Sequence, residues 1–90
     1  MANLRKIKKD IDFLINEVIS DCYLFLSFHP GGKEAEAEAI LLEAVNLRNA
    51  LFDRVNSAPS EGRKQHYTAI SKDLLAGVDK LFGKVSELSR

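Results

Sequence analysis

The residues of this chain that could do chemistry are few, and they are not spaced to act together. Cys22 and His29 lie seven residues apart, which puts both at the same angular position on a helix and suggests a pair of metal ligands. Two soft ligands do not complete a site, and His66 lies roughly 35 Å away along the helix rise. We therefore expect Cys22 to be a small core residue and His29 to end a helix, where the helix dipole favours its charge.

Signatures of the common enzyme classes are absent from the sequence. Helical-bundle metalloenzymes use Glu-x-x-His pairs on facing helices, but the residues three positions before His29 and His66 are Leu26 and Arg63. The chain contains no phosphate-binding glycine loop, no His-Glu-x-x-His pair and no Gly-x-Ser-x-Gly elbow. We therefore expect a non-enzymatic protein with no metal site and no cofactor.

Two breaks divide the 90 residues into three segments. The first is His29-Pro30-Gly31-Gly32, where proline cannot continue a helix and glycine permits a reversal. The second is the turn-forming run of residues 56–60, in which Ser60 is placed to cap the following helix. The sequence therefore predicts three long elements joined by short loops.

Apolar residues recur at steps of three and four in each segment, which is a helical period. Short loops between such helices make neighbours antiparallel. The sequence predicts an all-α, antiparallel up-down-up three-helix bundle, with helices over about 3–29, 33–57 and 60–89 in a single domain of residues 1–90. The alternative is one long helical hairpin that needs a partner chain to complete its core.

Composition indicates a protein of the cytoplasm. A single cysteine, Cys22, allows no internal disulfide and does not imply an oxidising compartment. Asp12, Glu17 and Asp21 interrupt the apolar run of residues 11–28, so it is neither a membrane span nor a signal peptide. We expect no membrane partner, and the composition is typical of short bacterial helical-bundle proteins.

The 13 basic and 13 acidic residues cancel in number but not in position. In an up-down-up bundle, residues 1–12 and 48–72 share one end, where nine basic residues outnumber four acidic ones. The other end has the reverse ratio, so the sequence predicts a rod with +5 at one end and −5 at the other.

The basic end is a candidate site for phosphate, for an anionic lipid headgroup or for an acidic patch on a partner protein. Its candidate anion-binding residues are Arg5, Lys6, Lys8, Lys9, Arg63 and Lys64. Nucleic acid is weakly supported, because this end has neither an aromatic stacking platform nor a recognition helix after a tight turn. The alternative is a solvated surface with intrahelical pairs such as Lys6–Asp10.

Four large apolar residues fall away from the core-facing stripes: Phe13, Leu24, Phe28 and Leu42. A helix that is apolar on more than one side needs more than one cover, so we interpret these residues as a candidate interface. The simplest partner is a second copy in a two-fold homodimer, and a different protein is the alternative. The loop at residues 30–32 or a displaced third helix could also cover them.

Three further positions have two interpretations each. Arg48 lies within the apolar stripe of the second segment. It either pairs with Asp12 or Asp10 or lies at the stripe's edge with its head in solvent. Gly77 and Gly83 weaken the third helix, and they either admit a neighbouring helix or are merely tolerated.

Overall fold

The computed structural model describes residues 4–29 and 31–88. They form three helices: α1 over Leu4–Phe28, α2 over Glu34–Asn56 and α3 over Arg63–Leu88. Every pair of helices is in contact, and together they form a rod of 50 × 18 × 17 Å. The prediction of an all-α three-helix bundle is confirmed.

Ion pairs between α2 and its neighbours show how the helices run. Glu43 pairs with Lys84 and Arg54 pairs with Asp73, so residue numbers rise along α2 as they fall along α3. Arg48 of α2 pairs with Asp12 of α1, and only the five residues 29–33 connect these two helices. These contacts fix the up-down-up order and bring the start of α1, the end of α2 and the start of α3 to one end of the rod.

One apolar core runs along the rod, because each helix places its apolar side chains at steps of three and four on one face. No polar or charged side chain is buried among the described residues. The core residues are Ile7, Ile11, Ile15, Val18, Cys22, Phe25, Ala37, Ile40, Ala44, Leu51, Val55, Tyr67, Ile70, Leu74, Val78, Leu81 and Leu88. None of the three helices has an apolar stretch long enough to span a bilayer.

Helix α3 begins later than the sequence predicts. Its first residue is Arg63, not Ser60, and the prediction that Ser60 caps it is wrong. Gly62 adopts a φ of +70°, a conformation that glycine allows at no steric cost, and its carbonyl accepts the N–H of His66 at 3.0 Å. The glycine therefore ends the connecting loop and takes the capping position. The predicted bounds of α1 and α2 agree with the structure to one residue at each described end.

Two contacts set how closely α2 approaches its neighbours. The Arg48 Nε donates to Asp12 Oδ1 at 3.0 Å, and its guanidinium carbon lies 4.4 Å from the centre of the Phe52 ring. Both interpretations of Arg48 hold, since its side chain is paired and still 43% exposed. A Cβ built at Gly77 would lie 2.7 Å from Leu47 Cδ2, so this glycine does admit α2.

Candidate functional site

The outward side of α1 is the most unusual surface of the bundle. Because α1 buries residues such as Ile11, Ile15 and Cys22, the opposite side faces solvent along the whole helix. We call this side the outer α1 face, and its exposed residues are Arg5, Lys6, Lys9, Phe13, Asn16, Glu17, Ser20, Tyr23, Leu24, Ser27 and Phe28. Its composition changes from basic at the start of the helix to apolar at the end.

The last two turns of the outer α1 face carry exposed apolar side chains at neighbouring positions. Leu24 and Phe28 are one helical turn apart and are 57% and 73% exposed. Tyr23 beside them is 58% exposed, and the Ser27 hydroxyl donates to the Tyr23 carbonyl at 3.0 Å. A cluster of this kind is more informative than a single exposed leucine, because isolated ones are common on soluble proteins.

The four predicted interface residues are all exposed, but the structure does not bring them together. Leu24 and Phe28 are neighbours, whereas Phe13 lies eleven residues before Leu24, about 16 Å along the helix. Phe13 instead lines a shallow groove with Lys6, Lys9 and other residues of the basic half. Leu42 lies on a different helix, α2.

Sequence reasoning missed four of the large apolar residues that are exposed in the described part of the chain: Leu4, Tyr23, Val45 and Leu75. Tyr23 and Leu75 are the most exposed of the four. Tyr23 belongs to a run that is apolar nearly all the way round, and that run was the available signal for it. Leu75 of α3 is 61% exposed, whereas its neighbour Leu74 is buried. The only signal that separates Leu75 from the core stripe is its angular position around the helix. Leu75 lies far from the outer α1 face in sequence, on another helix.

The charges separate along the rod, with one correction to the predicted values. Arg54 and Asp73 pair at 2.7 Å, so Asp73 belongs to the basic end and not to the acidic one. Among the described residues, the basic end, residues 4–12 and 48–73, then has nine basic and five acidic side chains, a net charge of +4. The remaining described residues form the acidic end, with three basic and eight acidic side chains, a net charge of −5.

The predicted anion-binding residues lie at the starts of α1 and α3, which the fold places at the same end. Neither helix has an acidic residue in its first turn, so no carboxylate there offsets the positive end of either dipole. Lys6 pairs with Asp10 at 3.4 Å, and Arg63 Nε donates to the Pro59 carbonyl at 3.1 Å. Within the described ranges, the other four have no ion pair: Arg5, Lys8, Lys9 and Lys64.

The residues with reactive side chains take structural positions. Cys22 is fully buried as predicted, and burial, with the charge of Asp21 second, raises the pKa of its thiol. His29 follows the end of α1, stacks on Phe25 at 4.5 Å and places Nδ1 3.1 Å from the Phe25 carbonyl. His66 Nε2 donates to the Arg54 carbonyl at 2.7 Å, near the end of α2, where that carbonyl also accepts the N–H of Ser57 at 3.3 Å. In the described part of the chain, no three potential metal ligands converge.

No protein-family model, no curated protein and no solved structure matches this chain.

Proposed function

We propose that this protein is a cytoplasmic, non-enzymatic interaction module that self-associates through the outer α1 face. The observation that carries the proposal is the exposed cluster of Tyr23, Leu24 and Phe28. Exposed apolar surface is unfavourable in water, and covering it by a partner recovers about 25 cal/mol per Å². A partner that covers the last two turns of α1 removes this surface from water.

A second copy is the occupant that the charges favour. The sequence has no net charge, but the described residues of its two ends carry +4 and −5. A polarised rod is complementary to itself, since the basic end of one copy attracts the acidic end of another. A strongly basic or acidic partner would match only one end.

Light scattering combined with size-exclusion chromatography at micromolar concentrations tests self-association. We expect a mass near twice the 10.1 kDa of the chain, and a shift toward the monomer for the double variant Leu24→Gln/Phe28→Ser. Leu75→Gln is the matched control, because Leu75 is as exposed as Leu24 but lies on α3. Circular dichroism should show the same helicity for all variants.

A mass of a single chain for the wild-type protein at every concentration would contradict self-association. The double variant could instead lose helicity while its mass in the folded state stays equal to that of the wild type. This result would show that Leu24 and Phe28 stabilise the single chain and do not form an interface.

A second candidate function, binding of an anion or nucleic acid at the basic end, is favoured by one observation. Arg5, Lys8, Lys9 and Lys64 have no ion pair within the described ranges, and two helix N-termini lie at the same end. Cations without carboxylate partners, close to two positive dipole ends, attract phosphate or sulfate groups.

Titration with a fluorescent duplex DNA and with heparin at several salt concentrations tests this second function. Binding should weaken steeply with salt, and Lys8→Glu/Lys64→Glu should reduce both affinity and the salt slope. Lys80→Glu is the control, since Lys80 is an exposed lysine of the acidic end. Equal affinities for the two variants would eliminate a specific role of the basic end.

A further inference from the structure

We infer that two copies pair antiparallel along their outer α1 faces, with Phe13 of each packed against Leu24 of the other. The inference rests on the proposed self-association and specifies its geometry. It also gives a role to Phe13, which the structure leaves exposed and about 16 Å from the apolar end of the same helix.

The positions of the exposed side chains fit this register. Turning one α1 end over end about a point between residues 18 and 19 brings Phe13 opposite Leu24 and Lys9 opposite Phe28. Glu17 then lies opposite Ser20 at the centre of the contact. The serine side chain is small, and its hydroxyl can donate a hydrogen bond to the Glu17 carboxylate. Lys9 can lay its aliphatic stem on the Phe28 ring and hold its ammonium over the ring face.

Apolar positions alone do not select the direction, because a parallel pair would stack Phe13 on Phe13 and Leu24 on Leu24. Charge selects it. Parallel pairing would set the basic ends of both rods side by side and the acidic ends likewise, which is unfavourable. Antiparallel pairing sets the end with a net charge of +4 beside the end with a net charge of −5 at both ends of the dimer.

The contact is expected to be reversible. It runs from Lys9 to Phe28, twenty residues that span about 28 Å of helix. A contact between one helix and one other helix lies at the small end of the range for specific interfaces, where complexes are weak and transient. Association in the micromolar range is therefore the expected strength.

Thiol cross-linking distinguishes this arrangement from other dimers. In the proposed register, the two copies of residue 20 are offset by about 5 Å along the helix axis, and the two copies of residue 27 by about 26 Å. Ser20→Cys should therefore form a disulfide or react with a short bismaleimide to give a covalent dimer, whereas Ser27→Cys should not. The wild type is the control for the buried Cys22, which should not cross-link.

Each outcome is informative. A covalent dimer of Ser20→Cys, without one for Ser27→Cys, supports the antiparallel pair. Cross-linking of Ser27→Cys alone indicates dimers that meet at their acidic ends, which overturns the inference but keeps self-association. A wild-type dimer by light scattering with no cross-link in either variant overturns the α1 geometry alone. A monomer throughout overturns self-association and the inference together.

Discussion

Glu34 joins the loop to the start of α2 through its carboxylate. The N–H groups of Gly31 and Gly32 donate to its two oxygens at 2.7 and 2.9 Å, and Gly31 has a φ of +77°. Hydrogen bonds from backbone N–H groups lower the pKa of Glu34 below its ordinary value of 4.5. The largest contribution comes from the N–H of Gly32, followed by the N–H of Glu34 itself and that of Gly31. The charged carboxylate therefore orders the connection that reverses the chain after α1.

Acid should release this loop before it unfolds the helices. Because the folded pKa is depressed, the stabilisation is present at neutral pH and is lost as the pH falls below 4.5 through the folded value. We expect the protection factors of the Gly31 and Gly32 amides, which compare their exchange with that of an unstructured chain at the same pH, to fall over that interval. NMR measures these factors together with the titration of the Glu34 carboxyl carbon. Glu34→Gln is the control, and in it the protection factors of the two amides should not change over this pH interval. An unperturbed titration of Glu34 would contradict the assignment.

At the scale of the helices, the two glycines of α3 have different surroundings. A Cβ at Gly83 would meet no atom within 4 Å, whereas one at Gly77 would lie 2.7 Å from Leu47 Cδ2 and 3.2 Å from Leu47 Cδ1. Glycine inside a helix costs about 1 kcal/mol relative to alanine. Only at Gly83 can alanine recover that free energy without moving a neighbour.

Gly83→Ala should raise the free energy of unfolding by about 1 kcal/mol, because it gains helix propensity in open space. Gly77→Ala should gain less or lose stability, because Leu47 must change its rotamer to make room. Urea denaturation followed by circular dichroism measures both. Equal stabilisation by the two substitutions would show that α2 and α3 are not as close at this level as the structure places them.

The helices themselves could be predicted from sequence, and their exact starts and cross-contacts could not. The steps of three and four in residues such as Ile11, Ile15 and Val18 require a helix with one buried side. Ser60 is a preferred capping residue by type, but α3 does not begin there, because the start of α3 depends on the φ of Gly62. A preference for one residue type does not contain that backbone angle. The spacing of apolar residues did not show whether another helix packs against Gly77, since that depends on how closely the Leu47 side chain of α2 approaches α3.

Part of the candidate site was predictable residue by residue, although Tyr23 was missed, but the site was not predictable as a surface. Angular position identified Phe13, Leu24, Phe28 and Leu42 as lying off the core stripes, and all four are exposed. The angular position of a residue does not determine its distance from the other residues along or between helices. The sequence therefore did not predict that these four residues lie in different places. The position of Asp73 depended in the same way on the level at which α3 meets Arg54.

For the whole molecule, the separation of charge should control which ends of two rods meet. Lys9→Glu and Lys33→Glu change the net charge equally but at opposite ends of the rod, because Lys9 lies near the start of α1 and Lys33 directly precedes α2. In the antiparallel pair, Lys9→Glu puts a carboxylate beside the partner's acidic end and should weaken the dimer several-fold at low salt. Lys33→Glu adds a carboxylate at the end of the rod that faces the partner's basic end, and it should leave the dimer equally tight or tighter. Analytical ultracentrifugation at two ionic strengths measures both, and the difference should shrink once the Debye length falls to a few ångströms near 1 M salt. Two copies meeting at their acidic ends would give the opposite order, because Lys33→Glu would then add repulsion at the contact and Lys9→Glu would lie far from it.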